Sequence, residues 1–120
     1  MLKNRKGSNI LKGKPRIEKG KKKIAERDIA KQLKKELDLL PNIFYERFEP
    51  TPFYGAGRPD FFLIKKGRFI AIETKSLEVG PKLRKSQIEY KKNLDRVEVP
   101  YFIIFDSNSI NELLEYLRGI

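Results

Sequence analysis

Two short apolar runs with a charged break between them are the feature that most constrains this fold. Residues 61–64 (Phe-Phe-Leu-Ile) and 69–72 (Phe-Ile-Ala-Ile) flank Lys-Lys-Gly-Arg, a pattern that predicts a β-hairpin. A two-residue loop at Lys66 and Gly67 would place Asp60 opposite Glu73. A loop one residue longer or shorter would break that pairing.

Under this register, Asp60 and Glu73 would have Cβ atoms about 4.5–5.5 Å apart, a distance at which like charges repel. A divalent cation would compensate, and Mg²⁺ is usually held by one or two carboxylates together with water and phosphate. Lys75 lies two residues after Glu73 on the same side of the strand, where it could position a water or stabilise charge on a phosphate. The alternative is that all three are solvent-exposed surface charges.

The amino-acid composition limits the kinds of functional site that the chain can form. The chain has no cysteine and no histidine, so disulfides, zinc-type sites and imidazole bases are excluded. Any metal must have oxygen ligands, which favours Mg²⁺, with Mn²⁺ as a substitute. No apolar run has membrane-spanning length, and no signal-peptide pattern is visible. We therefore expect a soluble protein with no membrane partner, working in the cytoplasm, either with the nucleoid or as a viral protein in its host.

Positive charge is concentrated at the start of the chain. Residues 1–23 carry ten Lys or Arg and one Glu, out of 27 basic and 16 acidic residues in all. We predict a flexible basic arm over residues 1–21, because the segment contains glycine and proline and lacks apolar periodicity. A polyanion is the expected partner, and a solubilising tail is the alternative. Residues 22–120 then form one domain.

Periodicity predicts the order helix, strand, strand, strand, helix, strand, helix, which gives an α/β fold with a mixed central sheet flanked by helices. The last helix would begin at a capping box of Ser109 and Glu112. The strand near residue 100 is apolar throughout and is predicted to be central and buried on both faces. Outside the hairpin, the predicted spans are Lys22–Leu40 (helix), Ile43–Glu49 (strand), Leu83–Val97 (helix), Pro100–Asp106 (strand) and Ile110–Arg118 (helix).

Pro59-Asp60, a hairpin-length gap and Glu73-Thr74-Lys75 resemble the PD-(D/E)XK signature of a large nuclease superfamily. The likeness covers about residues 24–106. It extends to the junction-resolving phage endonuclease I family and to the VRR-NUC family, the latter through Gly57-x-Pro59-Asp60 and Ser86-Gln87. It implies a restriction-endonuclease-like fold and a Mg²⁺-dependent, structure-selective DNA endonuclease. The specific expectation is a Holliday junction resolvase that acts as a homodimer on four-way junctions.

The resemblance also implies roles for individual residues. The implied catalytic residues are Glu26, Asp60, Glu73, Lys75 and Gln87, and the implied metal ligands are Asp60, Glu73 and the carbonyl of Thr74. The predicted DNA-binding residues are basic: Lys21, Lys22, Lys23, Arg58, Lys82, Arg84 and Lys85.

Each of these roles has a simpler alternative. Glu26 could serve only the dipole of the first helix. Gln87 could be an ordinary helix-end amide, and the basic residues could form a solvated surface. For the whole protein, the alternatives are a nuclease of the same fold acting on flaps, single-stranded ends or restriction sites, and a non-catalytic DNA-binding module.

Overall fold

The computed structural model describes residues 25–48 and 56–120. Within these residues the fold is mixed α/β, with a four-stranded sheet and three helices, in the order that the periodicity predicts. The predicted arm, its boundary at residue 21 and the DNA-binding candidates Lys21, Lys22 and Lys23 lie outside the described residues. The elements are α1 (Glu26–Asp38), β1 (Phe44–Arg47), β2 (Phe61–Lys65), β3 (Arg68–Thr74), α2 (Lys85–Arg96), β4 (Tyr101–Ile104) and α3 (Ser107–Arg118).

The strands lie in the order β1-β2-β3-β4, with β3 and β4 parallel and the other pairs antiparallel. The central hairpin has the predicted register, with Ile64 opposite Phe69. Lys66 and Gly67 have φ angles of 52° and 78°. Two consecutive residues with positive φ suit the turn that continues the right-handed twist of paired strands. The predicted two-residue loop is thus confirmed.

The core lies between the sheet and the helices α1 and α3. Successive side chains of a strand point to opposite faces, so Phe61, Leu63, Ile70 and Ile72 share the face that these helices cover. The helices contribute Ile29, Ala30, Leu33 and Leu37 from α1, and Ile110, Leu113, Leu114 and Leu117 from α3. Helix α2 packs on the other face. The sheet therefore has helices on both sides, and Glu73 lies on the face that α2 covers.

The strand predicted to be central, β4, is instead the edge strand of the sheet as described. Tyr101, Phe102 and Ile103 are only half-buried. This prediction was wrong because α2 and α3 cover opposite faces of β4, and an edge strand covered on both faces has the same apolar sequence as a central one.

The helix ends also differ from the prediction. Helix α3 begins three residues earlier than expected, because the capping partners are Asp106 and Ser109 and not Ser109 and Glu112. The Asp106 carboxylate accepts from the Ser109 backbone N–H at 2.8 Å, and the Ser109 hydroxyl accepts from the Asp106 N–H at 3.1 Å. Helix α2 runs from Lys85 to Arg96, so it is shorter than the predicted span of Leu83–Val97, and Val97 is 62% exposed.

Helices α1, α2 and α3 are all too short and too polar to cross a membrane, and the described part of the chain contains no other helix.

Candidate active site

One pocket collects the carboxylates, the lysine and the glutamine named in the sequence analysis. It forms where the starts of β2, α1 and α2 meet the end of β3, and its volume is about 360 Å³. Its lining residues are Glu26, Ala56, Gly57, Arg58, Asp60, Glu73, Lys75, Arg84, Ser86 and Gln87. All five predicted catalytic residues therefore lie on one pocket.

Asp60 is fixed to the end of the neighbouring strand. It lies one residue before the last paired position of the hairpin, where Phe61 is opposite Ile72. Its Oδ2 atom accepts two hydrogen bonds from Thr74, one from the backbone N–H at 2.9 Å and one from the hydroxyl at 2.5 Å. These bonds join the start of β2 to the end of β3. Only the carbonyl of Thr74 was predicted to contribute to the site, and the role of its hydroxyl was not predicted.

Gln87 connects the Glu73 carboxylate to the Lys75 ammonium. Its Nε2 donates to Glu73 Oε2 at 2.8 Å, and its Oε1 accepts from Lys75 Nζ at 2.8 Å. The Oε1 atom also accepts from the Arg84 backbone N–H at 2.8 Å, at the start of α2. Gln87 is 2% exposed, so these bonds are shielded from water. The amide thus holds the lysine ammonium 3.9 Å from Glu73 Oε2.

Glu73 is a buried carboxylate, and the nearby Lys75 ammonium offsets only part of the cost of ionising it. Burial, followed by the negative charge of Asp60, raises its pKa to about 8, although Lys75 acts in the opposite direction. Its Oε1 atom is buried and has no hydrogen-bond partner. An ionised carboxylate in this state is costly unless a cation or a proton joins it. The site therefore favours a bound positive charge at Glu73.

Glu26 lines the pocket from the first residue of α1. It is exposed, whereas Ala30, Leu33 and Leu37, which follow it at helical spacing, are buried. Partial burial of its carboxyl and the nearby Asp60 nevertheless raise its pKa. The Glu26 carboxyl therefore lies at the rim of the pocket and interacts electrostatically with Asp60.

The donor set fits a hard divalent cation. Asp60 and Glu73 offer carboxylate oxygens, and Glu73 Oε1 is a buried potential ligand atom with no hydrogen-bond partner. In residues 25–48 and 56–120, no group of three or more acids, histidines or cysteines comes together in a way that could hold a metal ion. Mg²⁺ does not require such a cluster, because one or two carboxylates with water and phosphate suffice.

Gly57 allows the loop that carries Asp60 to contact α2 directly. Its φ is 79°, and a Cβ atom built on it would lie 2.2 Å from the Ser86 carbonyl oxygen. Only glycine permits such a close approach. In the sequence Gly57 is recognisable only as part of the Gly57-x-Pro59-Asp60 motif, and its contact with α2 was not predicted.

The predicted DNA-binding residues divide into three groups. Arg58 and Arg84 line the pocket, and the Arg58 guanidinium also lies 4.7 Å from the centroid of the Phe48 ring. Lys82 and Lys85 are exposed beside the start of α2 but do not line the pocket. Lys21, Lys22 and Lys23 fall outside the described residues.

Neither the comparison with protein-family models nor the search of curated proteins gives a match to this chain.

Proposed function

We propose that this protein is a Mg²⁺-dependent DNA endonuclease with a restriction-endonuclease-like fold of the PD-(D/E)XK type. The observation that carries the proposal is the arrangement around Gln87, whose amide bonds both the Glu73 carboxylate and the Lys75 ammonium. A buried acid with an unpartnered oxygen beside a buried ammonium suits a reaction in which a cation and a phosphate enter together.

Asp60 and Glu73, with the Thr74 carbonyl, would hold Mg²⁺, and Mn²⁺ would substitute for it. When bound, the metal would supply Lewis-acid activation of water and neutralise charge on the phosphate. Thr74 holds the Asp60 carboxylate in place, and Gln87 does the same for Glu73.

Lys75 is the group that would donate to a non-bridging phosphate oxygen as negative charge accumulates in the transition state. Lys75 is 5% exposed, and its ammonium is already oriented by Gln87, so little reorganisation accompanies the reaction. A preorganised cation shielded from water is worth more than the same cation in solvent.

Nucleic acid is the substrate class that the charge distribution favours. Arg58 and Arg84 line the pocket and would bind phosphates on either side of the scissile one. The formal net charge of +11 also favours association with a polyanion. A non-catalytic DNA-binding module gains nothing from carboxylates placed where phosphates would lie, so the acids favour the enzyme.

Four-way DNA junctions are the substrate that the resemblance favours, with the protein acting as a homodimer. A two-fold symmetric dimer would carry two such pockets at a fixed separation and would act on two phosphates in matching positions. A four-way junction offers such a pair, whereas linear duplex of the same sequence does not.

Cleavage assays with Mg²⁺ and with EDTA test the nuclease. We expect Mg²⁺-dependent cutting that falls by at least about 100-fold in Asp60→Asn and Lys75→Ala, with DNA binding close to wild type, because the lost interactions act on the transition state. Lys66→Ala, in the exposed hairpin turn, is the matched control and should retain full activity. Full cleavage by either site variant would contradict the assignment.

A panel of four-way, flapped, single-stranded and linear substrates tests the substrate. We expect paired nicks in four-way junctions at rates well above those on linear duplex, from a protein that sedimentation shows to be dimeric. Equal cutting of linear duplex, or a monomer at active concentrations, would contradict the resolvase proposal and leave the nuclease intact.

A further inference from the structure

Two buried side-chain atoms in the described part of the chain have no hydrogen-bond partner. One is Glu73 Oε1 and the other is the hydroxyl of Tyr101. Buried polar groups are nearly always paired, so each such exception calls for a physical reason. Tyr101 belongs to neither the motif nor the pocket lining, and the chemistry proposed above does not use it.

The sheet register places these two side chains on the same face. Tyr101 is opposite Ala71 in the parallel pair of β3 and β4, and Glu73 follows Ala71 by two residues. Two residues correspond to about 6.6 Å along a strand, and neighbouring strands are about 4.8 Å apart. A tyrosine side chain spans the resulting diagonal. The register therefore places the hydroxyl on the face that α2 covers, within reach of the carboxylate.

The electrostatics agree with this placement. Burial, followed by the negative charges of Glu73 and Asp60, raises the pKa of Tyr101 above its ordinary value. The hydroxyl consequently keeps its proton and remains a donor. Tyr90 on α2 is the other ionisable group that contributes, and the Lys91 ammonium lies 5.8 Å from the centre of the Tyr101 ring.

We propose that Tyr101 is a positioning residue, whose hydroxyl donates to Glu73 Oε1 through one bridging water and holds the carboxylate in the orientation needed for a cation. A carboxylate has about four acceptor positions, so a bond from this water leaves room for both Gln87 and a metal. Glu73 is then held from two sides, by α2 through Gln87 and by β4 through Tyr101.

The coupling between the two residues is measured without metal. In EDTA at fixed pH, Tyr101→Phe should lower the melting temperature by a few degrees in the wild-type background and have no such effect in Glu73→Ala, because the acceptor is then missing. The control is Tyr116 on α3, whose ring packs on Phe102 on the opposite face of β4 from Tyr101. Tyr116→Phe should have the same effect in both backgrounds. A neutral or stabilising Tyr101→Phe would show that its hydroxyl has no partner and would overturn the proposal.

The role toward a cation rests on the proposed function and is measured by Mn²⁺ binding, followed by electron paramagnetic resonance of the free ion. Tyr101→Phe should weaken binding by about tenfold, as is typical when a group that orients a metal ligand is lost. Tyr116→Phe should bind like wild type. An unchanged Mn²⁺ affinity in Tyr101→Phe would overturn the positioning role. If wild-type protein binds no Mn²⁺, the metal assignment fails, whereas the EDTA measurement still decides whether Tyr101 is coupled to Glu73.

Discussion

At the scale of single residues, Gln87 links more of the candidate site than its side chain alone would suggest. Its amide bonds Glu73, Lys75 and the first turn of α2, and both ends of the amide are used. The orientation of the amide is therefore fixed by chemistry, because only a carbonyl oxygen can accept from the lysine. The sequence left open whether Gln87 was a helix-end amide, and the structure places it in the pocket.

We expect Gln87→Ala to slow cleavage by about 10- to 100-fold while DNA affinity stays near the wild-type value, because the variant releases Lys75 and Glu73 without removing a phosphate contact. Single-turnover rates and binding measured on the same substrate separate the two effects. Gln32→Ala, an exposed glutamine on α1, is the matched control. An equal loss in both variants would indicate that Gln87 has no special role.

Glu73 makes the metal-free protein sensitive to pH. Its pKa in the folded state is about 8, above the ordinary value of 4.5, so the folded protein holds this proton more tightly than the unfolded chain. Proton binding by Glu73 therefore contributes to the free energy of unfolding. This contribution is complete below pH 4.5 and is lost as the pH rises toward about 8.

Glu73→Gln should therefore match wild type in EDTA at low pH and become more stable than wild type, by several degrees in melting temperature, at pH 9. The exposed Glu112→Gln controls for the general effect of removing an acid. Saturating Mg²⁺ should favour wild type, because only wild type gains stability from binding. A constant difference between the two proteins across this pH range would contradict the buried-carboxylate account.

At the scale of elements, the loop before Asp60 and the first turn of α2 behave as one unit. Gly57 contacts the backbone at Ser86, one residue before Gln87, and Asp60 is bonded to the end of β3. Two sides of the pocket are thus joined by backbone contact and hydrogen bonds between elements that lie far apart in the chain.

Gly57→Ala should destabilise the protein more than Gly67→Ala or Gly80→Ala and should reduce cleavage. All three glycines have positive φ, so alanine strains each by about 1–2 kcal/mol. Only at Gly57 does the added Cβ collide with backbone, whereas nothing lies within 4 Å at the other two. Thermal unfolding compares the three variants directly, and equal losses would show that strain alone matters at Gly57.

The hairpin was predictable from sequence because its information is local. Alternating side chains, a Lys-Gly turn and a fixed period determine the register, and with it the neighbourhood of Asp60 and Glu73. The edge position of β4 and the contact of Gly57 with α2 depend on how distant segments pack. No local pattern encodes those two features. The start of α3 was missed because Asp106 and Ser109 compete with Ser109 and Glu112 for the same capping pattern.

At the scale of the whole molecule, most of the net positive charge lies before the candidate catalytic residues in the sequence. Ten of the 27 basic residues precede residue 24, whereas the candidate catalytic groups lie between Glu26 and Gln87. Affinity for nucleic acid and catalysis should therefore be separable by deletion.

Removal of residues 1–21 should weaken binding to every DNA substrate and leave the single-turnover rate at saturating protein near wild type. If about six arm charges contact phosphates, the slope of log affinity against log salt should become shallower by about five units. An arm of the same composition in scrambled order should restore the slope, because the interaction is electrostatic. A slope unaltered by the deletion would show that the arm does not contact DNA.

The cost of burying the Glu73 carboxylate also bears on how such a protein evolves. A residue that lowers the stability of the metal-free fold persists only while selection rewards what it does, since stabilising substitutions are easy to find. In a descendant that lost its cation, position 73 would be under pressure to become neutral, whereas the Gln87 amide would keep its bonds to Lys75 and to the Arg84 backbone. A neutral residue at position 73 would therefore mark a homologue that no longer binds the cation.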